Sequence, residues 1–280
     1  MTAHRRLLLL VVAVLLAGCS SPAPAPALAV GATADAQTTL LANIYAAGLR
    51  YYGTSVVIET SDDPVAGLDS GSVSVVPGFT GRFLERFAPG SAARSAAQVY
   101  RAMVGALPEG VAAGDYAVAA EDKAALAVTA TTAAQWGTRD LSAVVDHCSA
   151  LSVGAVIGIG RPLSVGGCTP TRPREFRDSA AMFDALRAGV INAAWTGTAD
   201  PAVPDGVVVL VDRKPTLVPA QNVVALYRRN ELNQFQLRAI NELAGVLDTT
   251  SLVDMLRQVK AGGDPRSVAE AWLTANPLGH

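Results

Sequence analysis

Residues 72–83, SVSVVPGFTGRF, run from an alternating stretch into two glycines that bracket Phe79 and Thr80. The alternation predicts a strand over 72–76, and the PGFTG that follows predicts a turn at its carboxyl end. Glycine at such a place lets a ligand or a second backbone approach, because no Cβ stands in the way. Outward from this stretch, ALAVGA (27–32) reads as a strand. TTLLANIYAAGLRYYG (38–53) reads as a helix, apolar at 40, 41, 44, 45 and 49 and ended by Gly53. SVVIET (55–60) is a second strand, and DDPVAGLDSG (62–71) a short helix with Pro64 in its first turn. RSAAQVYRAMVGAL (94–107) is helical again. Strand, helix, strand, helix, strand is the pattern of an α/β chain with helical crossovers and a parallel sheet. Ligands in such sheets lie beyond the carboxyl ends of the strands, which is where Phe79 falls.

The second half repeats the theme. Strands are expected at 125–129, 152–160, 190–197, 206–212 and 222–229, and helices at 130–137, 140–148 and 179–189. Three helices end the chain, starting near residue 236, at Thr249/Thr250 and at Asp264, the last two with capping side chains. About 260 residues beyond the leader suffice for one large α/β domain or for two lobes.

The first residues read MTAHRRLLLLVVAVLLAGCSSPAPAPA. Arg5 and Arg6 precede an apolar stretch from Leu7 to Leu16 that is short for a membrane span. Leu16-Ala17-Gly18-Cys19 resembles a bacterial lipobox, which implies a signal peptide over 1–18 and a diacylglycerol and fatty acyl (palmitate) anchor on Cys19. Buried methylenes at ~0.8 kcal/mol each would hold that anchor in a leaflet. Residues 19–27 then form a tether, whose alternating prolines favour polyproline II and about 25 Å of standoff at ~3.1 Å per residue. Arg5 and Arg6 leave with the leader, so 20 basic residues face 24 acidic ones, a net charge of −4. That mild acidity argues against nucleic acid or anionic lipid as partners.

Cys148 and Cys168 remain as an even pair in an oxidising compartment, and a disulfide between them is expected. It closes a loop of about 20 residues, worth about 3 kcal/mol in the chain-entropy estimate. His147 and His280 are the histidines of the mature chain. No metal-ligand spacing, G-x-S-x-G elbow or P-loop is present, and VIGIGRP (156–162) lacks the third glycine of a dinucleotide fingerprint. No metal, cofactor or catalytic group is therefore expected, and no enzymatic activity. Asp62 and Asp63 precede a helix and complement its dipole. Trp136, Trp272, Tyr45 and Tyr100 sit at core-facing positions.

Several segments together carry a resemblance. They are Leu40-Leu41-Ala42-Asn43-Ile44-Tyr45; Gly67 to Gly71; Pro77-Gly78-Phe79-Thr80-Gly81-Arg82; and Ala120 to Val128 with Asp140-Leu141-Ser142. Arg187 to Asp200, which contains Trp195-Thr196, and Val208 to Lys214 with Pro219 to Val224 complete the set. With them the chain resembles the substrate-binding lipoproteins of glycine betaine, choline and carnitine (quaternary amine) ABC importers.

The resemblance implies a two-lobed, periplasmic-binding-protein-like fold of type II, each lobe a mixed, mainly parallel sheet flanked by helices. Lobe 1 is expected over 28–127 plus 215–280, and lobe 2 over 128–214. It implies a monomer, tethered to the cell membrane on its extracytoplasmic face, that takes a small osmolyte-like solute and passes it to an ABC permease and its ATPase. The ligand-binding residues implied are Phe79, Thr80, Gly81, Arg82, Trp195, Thr196, Gln221 and Asn222, with Phe79 and Trp195 as opposing aromatic walls around a quaternary ammonium. The chain departs from the family motif at Gly78 (glutamate there), Phe79 (tyrosine), Arg82 (threonine) and Gln221 (an aromatic). An arginine beside the site repels a bare cation and can hold a carboxylate. A different polar solute is thus an alternative, and so is an envelope lipoprotein that keeps the fold as a sensor or scaffold.

Overall fold

The computed structural model describes residues 27–279; the expected leader, Cys19 and nearly all of the tether lie outside the described residues. Among the described residues no helix is long and apolar enough to cross a membrane.

Two five-stranded sheets carry the fold. The first takes strands β1 (Leu28–Ala32), β2 (Val56–Thr60), β3 (Val75–Phe79), β4 (Val111–Ala113) and β10 (Val223–Arg228), in the order β2-β1-β3-β10-β4. The second takes β5 (Ala124–Thr129), β6 (Val153–Val156), β7 (Arg174–Phe176), β8 (Ala193–Gly197) and β9 (Val207–Val209), in the order β7-β6-β8-β5-β9. Both sheets are evenly mixed rather than mainly parallel. β1 pairs parallel with β2 and β3, whereas β10 runs antiparallel to β3 and β4. In the second sheet β6 is parallel to β7 and β8, and β5 is antiparallel to β8 and β9. The antiparallel strands are the ones reached when the chain changes lobe, so they arrive without a helical crossover.

Each sheet is covered on both faces. On one face of the first lie α1 (Ala36–Tyr51) and the terminal helices α8 (Gln234–Val246), α9 (Thr249–Lys260) and α10 (Pro265–Ala275). On the other lie α2 (Pro64–Ser70), α3 (Thr80–Phe87) and α4 (Ala96–Ala106). In the second lobe α5 (Ala130–Trp136) and α6 (Ala143–Asp146) cover one face and α7 (Ser179–Arg187) the other. α1 is deeply buried because alanines and leucines surround its axis: ten consecutive residues from Leu40 to Leu49 are buried. Asp35, Asp63, Asp178, Asp248 and Asp264 cap α1, α2, α7, α9 and α10 with side-chain carboxylates. The cap of α9 is therefore Asp248, one residue before the threonines expected there.

Two segments join the lobes, and they differ from the expected boundaries. β5 starts at Ala124 and lies wholly in the second sheet, so the first crossing precedes 124 instead of following 127. Val218 packs in the second lobe's core and Ala220 in the first lobe's, so the return falls near 219 rather than 214. The crossings run antiparallel and bond to one another: Glu121 bridges Asn222, and Asp122 N–H donates to Gln221 O at 3.0 Å. Lys123 Nζ, on the first crossing, reaches Asp212 Oδ2 at 3.2 Å, with side chains 8% and 3% exposed. Asp212 also accepts from the backbone N–H of Leu217 and Val218. Away from this hinge, Cys148 and Cys168 are joined by a disulfide with a Cα–Cα distance of 5.5 Å, as the cysteine count predicts.

Candidate functional site

The strand expected over 72–76 begins only at Val75 and runs on through Pro77 and Gly78 to Phe79, and α3 begins at Thr80 with no intervening turn. Antiparallel pairing with β10 extends β3, setting Val223 opposite Phe79 and Val224 opposite Gly78. Both glycines have steric reasons to be glycine. A Cβ on Gly78 would lie 2.5 Å from the Phe83 ring, which fills the volume that a motif glutamate would need. A Cβ on Gly81 would lie 2.6 Å from Ala220 O and from Gln221 Nε2, so here the close approach is made by the second crossing itself.

Between the lobes, at the carboxyl end of β3 and beside the crossings, lies a cleft of about 1090 Å³. Gly81, Arg82, Trp195, Thr196 and Gln221 line it. Phe79, Thr80 and Asn222 do not, and the expectation of Phe79 as a cleft wall is corrected. Its ring is 1% exposed, packed in the first lobe's core with Leu40, Ile44 and Val223. The Arg82 guanidinium covers that ring, its carbon 4.7 Å from the centroid. Such a contact is worth about 0.5–1 kcal/mol at an accessible site. Thr80 and Asn222 tie β3 to β10 beneath the cleft. Thr80 N–H donates to Asn222 O (2.9 Å), Asn222 N–H to Thr80 Oγ1 (3.1 Å), and Asn222 Nδ2 to Ala117 O (3.0 Å).

Arg82 belongs to a polar cluster on the first-lobe wall. Its backbone N–H donates to Gln221 Oε1 at 3.0 Å and its Nη1 to Gln37 Oε1 at 3.3 Å. Gln37 Nε2 donates to Asp122 Oδ2 at 2.6 Å, while Asp122 Oδ1 accepts the N–H of Ala199, just after β8, at 3.0 Å. Asp122 thus ties α1 to the segment that follows β8 and packs against the first lobe's core. On the second-lobe wall, Trp195 is 6% exposed, held in β8 opposite Leu126. Thr196 Oγ1 and Ser179 Oγ donate to Asp200 Oδ2 at 2.9 and 3.2 Å.

The lining is balanced in charge: Asp35, Glu85, Asp122 and Asp200 are set against Arg82, Arg86, Arg161 and Lys260. Burial alone would raise the Asp35 carboxyl. Hydrogen bonds from the Thr33 and Thr38 hydroxyls and from the Thr38 and Gln37 backbone hold it below the usual carboxylate value. Trp195 is the aromatic side chain among the described lining residues.

Gln37, Asp122, Asp200 and the 158–162 loop are cleft residues that the sequence did not single out as binding groups. Asp122 had a usable signal, since it lies in the lobe-crossing segment. Gln37 had none beyond its place in the first turn of a helix that follows a strand. The glycines of VIGIGRP serve as a cleft lip, where Gly158 takes a positive φ of 78°.

Residues 166–275 match the family model described as the substrate binding domain of an ABC-type glycine betaine transport system. No curated protein sequence matches significantly. Among solved structures, the chain is similar to apo YehZ from Escherichia coli, with a TM-score of 0.72 at 19% identity, over 90% of this chain and 99% of that one. It is similar to a glycine betaine/carnitine/choline ABC transporter structure, with a TM-score of 0.73 at 16% identity, over 89% and 98%. A choline-binding ABC transporter protein in complex with choline follows at 0.56 and 16%, over 90% and 89%. The chain thus has the two-lobed α/β fold of the type II periplasmic binding proteins, and its residues 166–275, from within the second lobe into the last helix, are similar to the substrate binding domain of an ABC-type glycine betaine transport system.

Proposed function

We propose that this chain captures a small osmolyte-like solute, glycine betaine or another quaternary amine or zwitterion, in the inter-lobe cleft and hands it to an ABC permease driven by an ATPase. The observation that carries this reading is the cleft itself, lined from both lobes and sitting on a two-segment hinge. A solute that touches both walls stabilises the closed arrangement over the open one. Trp195 offers a weakly hydrated cation an aromatic surface, and the balanced charges suit a solute with no net charge. The family match and the fold of quaternary-amine binding proteins support the same class. In this reading the leader is removed, Cys19 carries the lipid, and the monomeric body works on the extracytoplasmic face with no catalytic step.

The test is titration calorimetry of the full chain in detergent, after unfolding and refolding to strip carried-over solute. Glycine betaine, carnitine, choline and proline are the titrants. Micromolar binding to a quaternary amine is expected; silence towards all four rejects the proposed solute class.

A further inference from the structure

An aromatic face is a seat for a cation, and on Phe79 that seat is already occupied by the chain's own Arg82. The guanidinium is poorly satisfied where it stands. Among the described residues, its five N–H donors make one hydrogen bond, to Gln37 Oε1 at 3.3 Å. The nearest carboxylate oxygen, Asp122 Oδ2, is 4.0 Å away and already accepts from Gln37 Nε2 at 2.6 Å. The Arg82 side chain is 54% exposed and lines the cleft. Its position is nonetheless fixed, by the backbone bond to Gln221 and by the ring beneath it.

We propose that Arg82 is the specificity-determining residue of the cleft: its free N–H donors take a ligand carboxylate on the first lobe, while the ligand's cationic group lies across the gap on Trp195 beside Asp200. The assignment rests on the solute-capture reading above and narrows it to carboxylate-bearing zwitterions. A guanidinium pairs with a planar carboxylate through parallel N–H···O bonds, which are among the stronger polar contacts. A cation without an acid group gains nothing there and meets like charge. The opposite wall has the complementary character, because Asp200 is held in place by the Thr196 and Ser179 hydroxyls and carries the negative charge that an onium group requires. A solute charged at both ends spans the cleft in one orientation only.

The test pairs solutes that differ by the acid group: glycine betaine with choline, and proline with pyrrolidine. Each is titrated into the full chain in detergent, as wild type and as Arg82→Met, which keeps a long apolar stem over the Phe79 ring. Wild type is expected to prefer the carboxylate member of a pair by at least about ten-fold, roughly 1.4 kcal/mol. Arg82→Met is expected to lose that preference, with the carboxylate member weakened and the other unchanged or tightened as the like charge is removed. Choline bound as tightly as glycine betaine by wild type, or both weakened equally by Arg82→Met, overturns the Arg82 assignment and leaves solute capture standing. Proline bound by wild type and lost in Arg82→Met, with both quaternary amines ignored, upholds Arg82 and removes the quaternary-amine class. Binding of none of the four overturns both. If Arg82→Met fails to fold, the wild-type preference within each pair decides alone.

Discussion

Trp195 is both a core residue and a cleft residue, and the choice of substitution separates the two roles. The indole packs among the second lobe's buried side chains yet borders the cleft. Leucine keeps most of the apolar filling but removes the extended ring face. Trp195→Leu is therefore expected to raise the dissociation constant for an onium solute by about five-fold or more, ~1 kcal/mol, while Trp195→Phe keeps most of the affinity. Titration of both variants checks this; equal affinity in wild type and Trp195→Leu takes the ring out of the site. The same scale shows how far side-chain roles were legible. Trp195, Gly81, Arg82 and Gln221 follow from the motif, and all four border the cleft. Phe79 was legible as an aromatic at a strand end, but not in its direction. That direction depends on β10 pulling three more residues into β3 and on a guanidinium one turn later lying over the ring. Neither fact is local to the motif.

At the level of elements, the long ones were legible because each carries a period: α1, α4, α7 and the three terminal helices, and strands β1, β5, β8 and β10. The three-residue strands β4 and β7 were not, since three residues hold no pattern and exist only by pairing with β10 and β6. The expected strand over 152–160 stops at Val156, where the glycines turn the chain into the cleft lip. Caps were the most readable local signal, and Asp35 offers a test of one. Its carboxylate accepts the backbone N–H groups of Gln37 and Thr38 at the start of the 16-residue helix α1. Asp35→Ala is expected to cost about 1 kcal/mol at neutral pH. Because its folded pKa is lowered, the contribution is present above the unfolded value of about 3.9 and is lost as pH falls through the folded value. Urea unfolding of wild type and variant should thus differ at pH 7 and draw together as the medium is made acid enough to protonate the folded carboxylate; a gap independent of pH assigns the cost to helix propensity instead.

The whole molecule turns on how two lobes remain one protein while leaving a cleft to close. Backbone bonds join the two crossings, and a buried ion pair ties the first of them to the second lobe: Lys123 on the crossing and Asp212, which precedes the return at 219. Taking both charges out of water is costly, and the mutual attraction offsets that cost only while both partners are present. Lys123→Met leaves Asp212 buried with the N–H groups of Leu217 and Val218 as its remaining donors. The single substitution is expected to destabilise the chain by about 3–5 kcal/mol, and the double variant Lys123→Met/Asp212→Asn to recover most of that loss, because no uncompensated charge remains. Urea unfolding of the three proteins at neutral pH checks the cycle. Recovery in the double variant means that the pair fixes which residues meet at the hinge rather than supplying net stability. A single substitution costing less than about 1 kcal/mol would mean that water reaches the pair, and that the backbone bonds between residues 120–123 and 221–223 hold the lobes together by themselves.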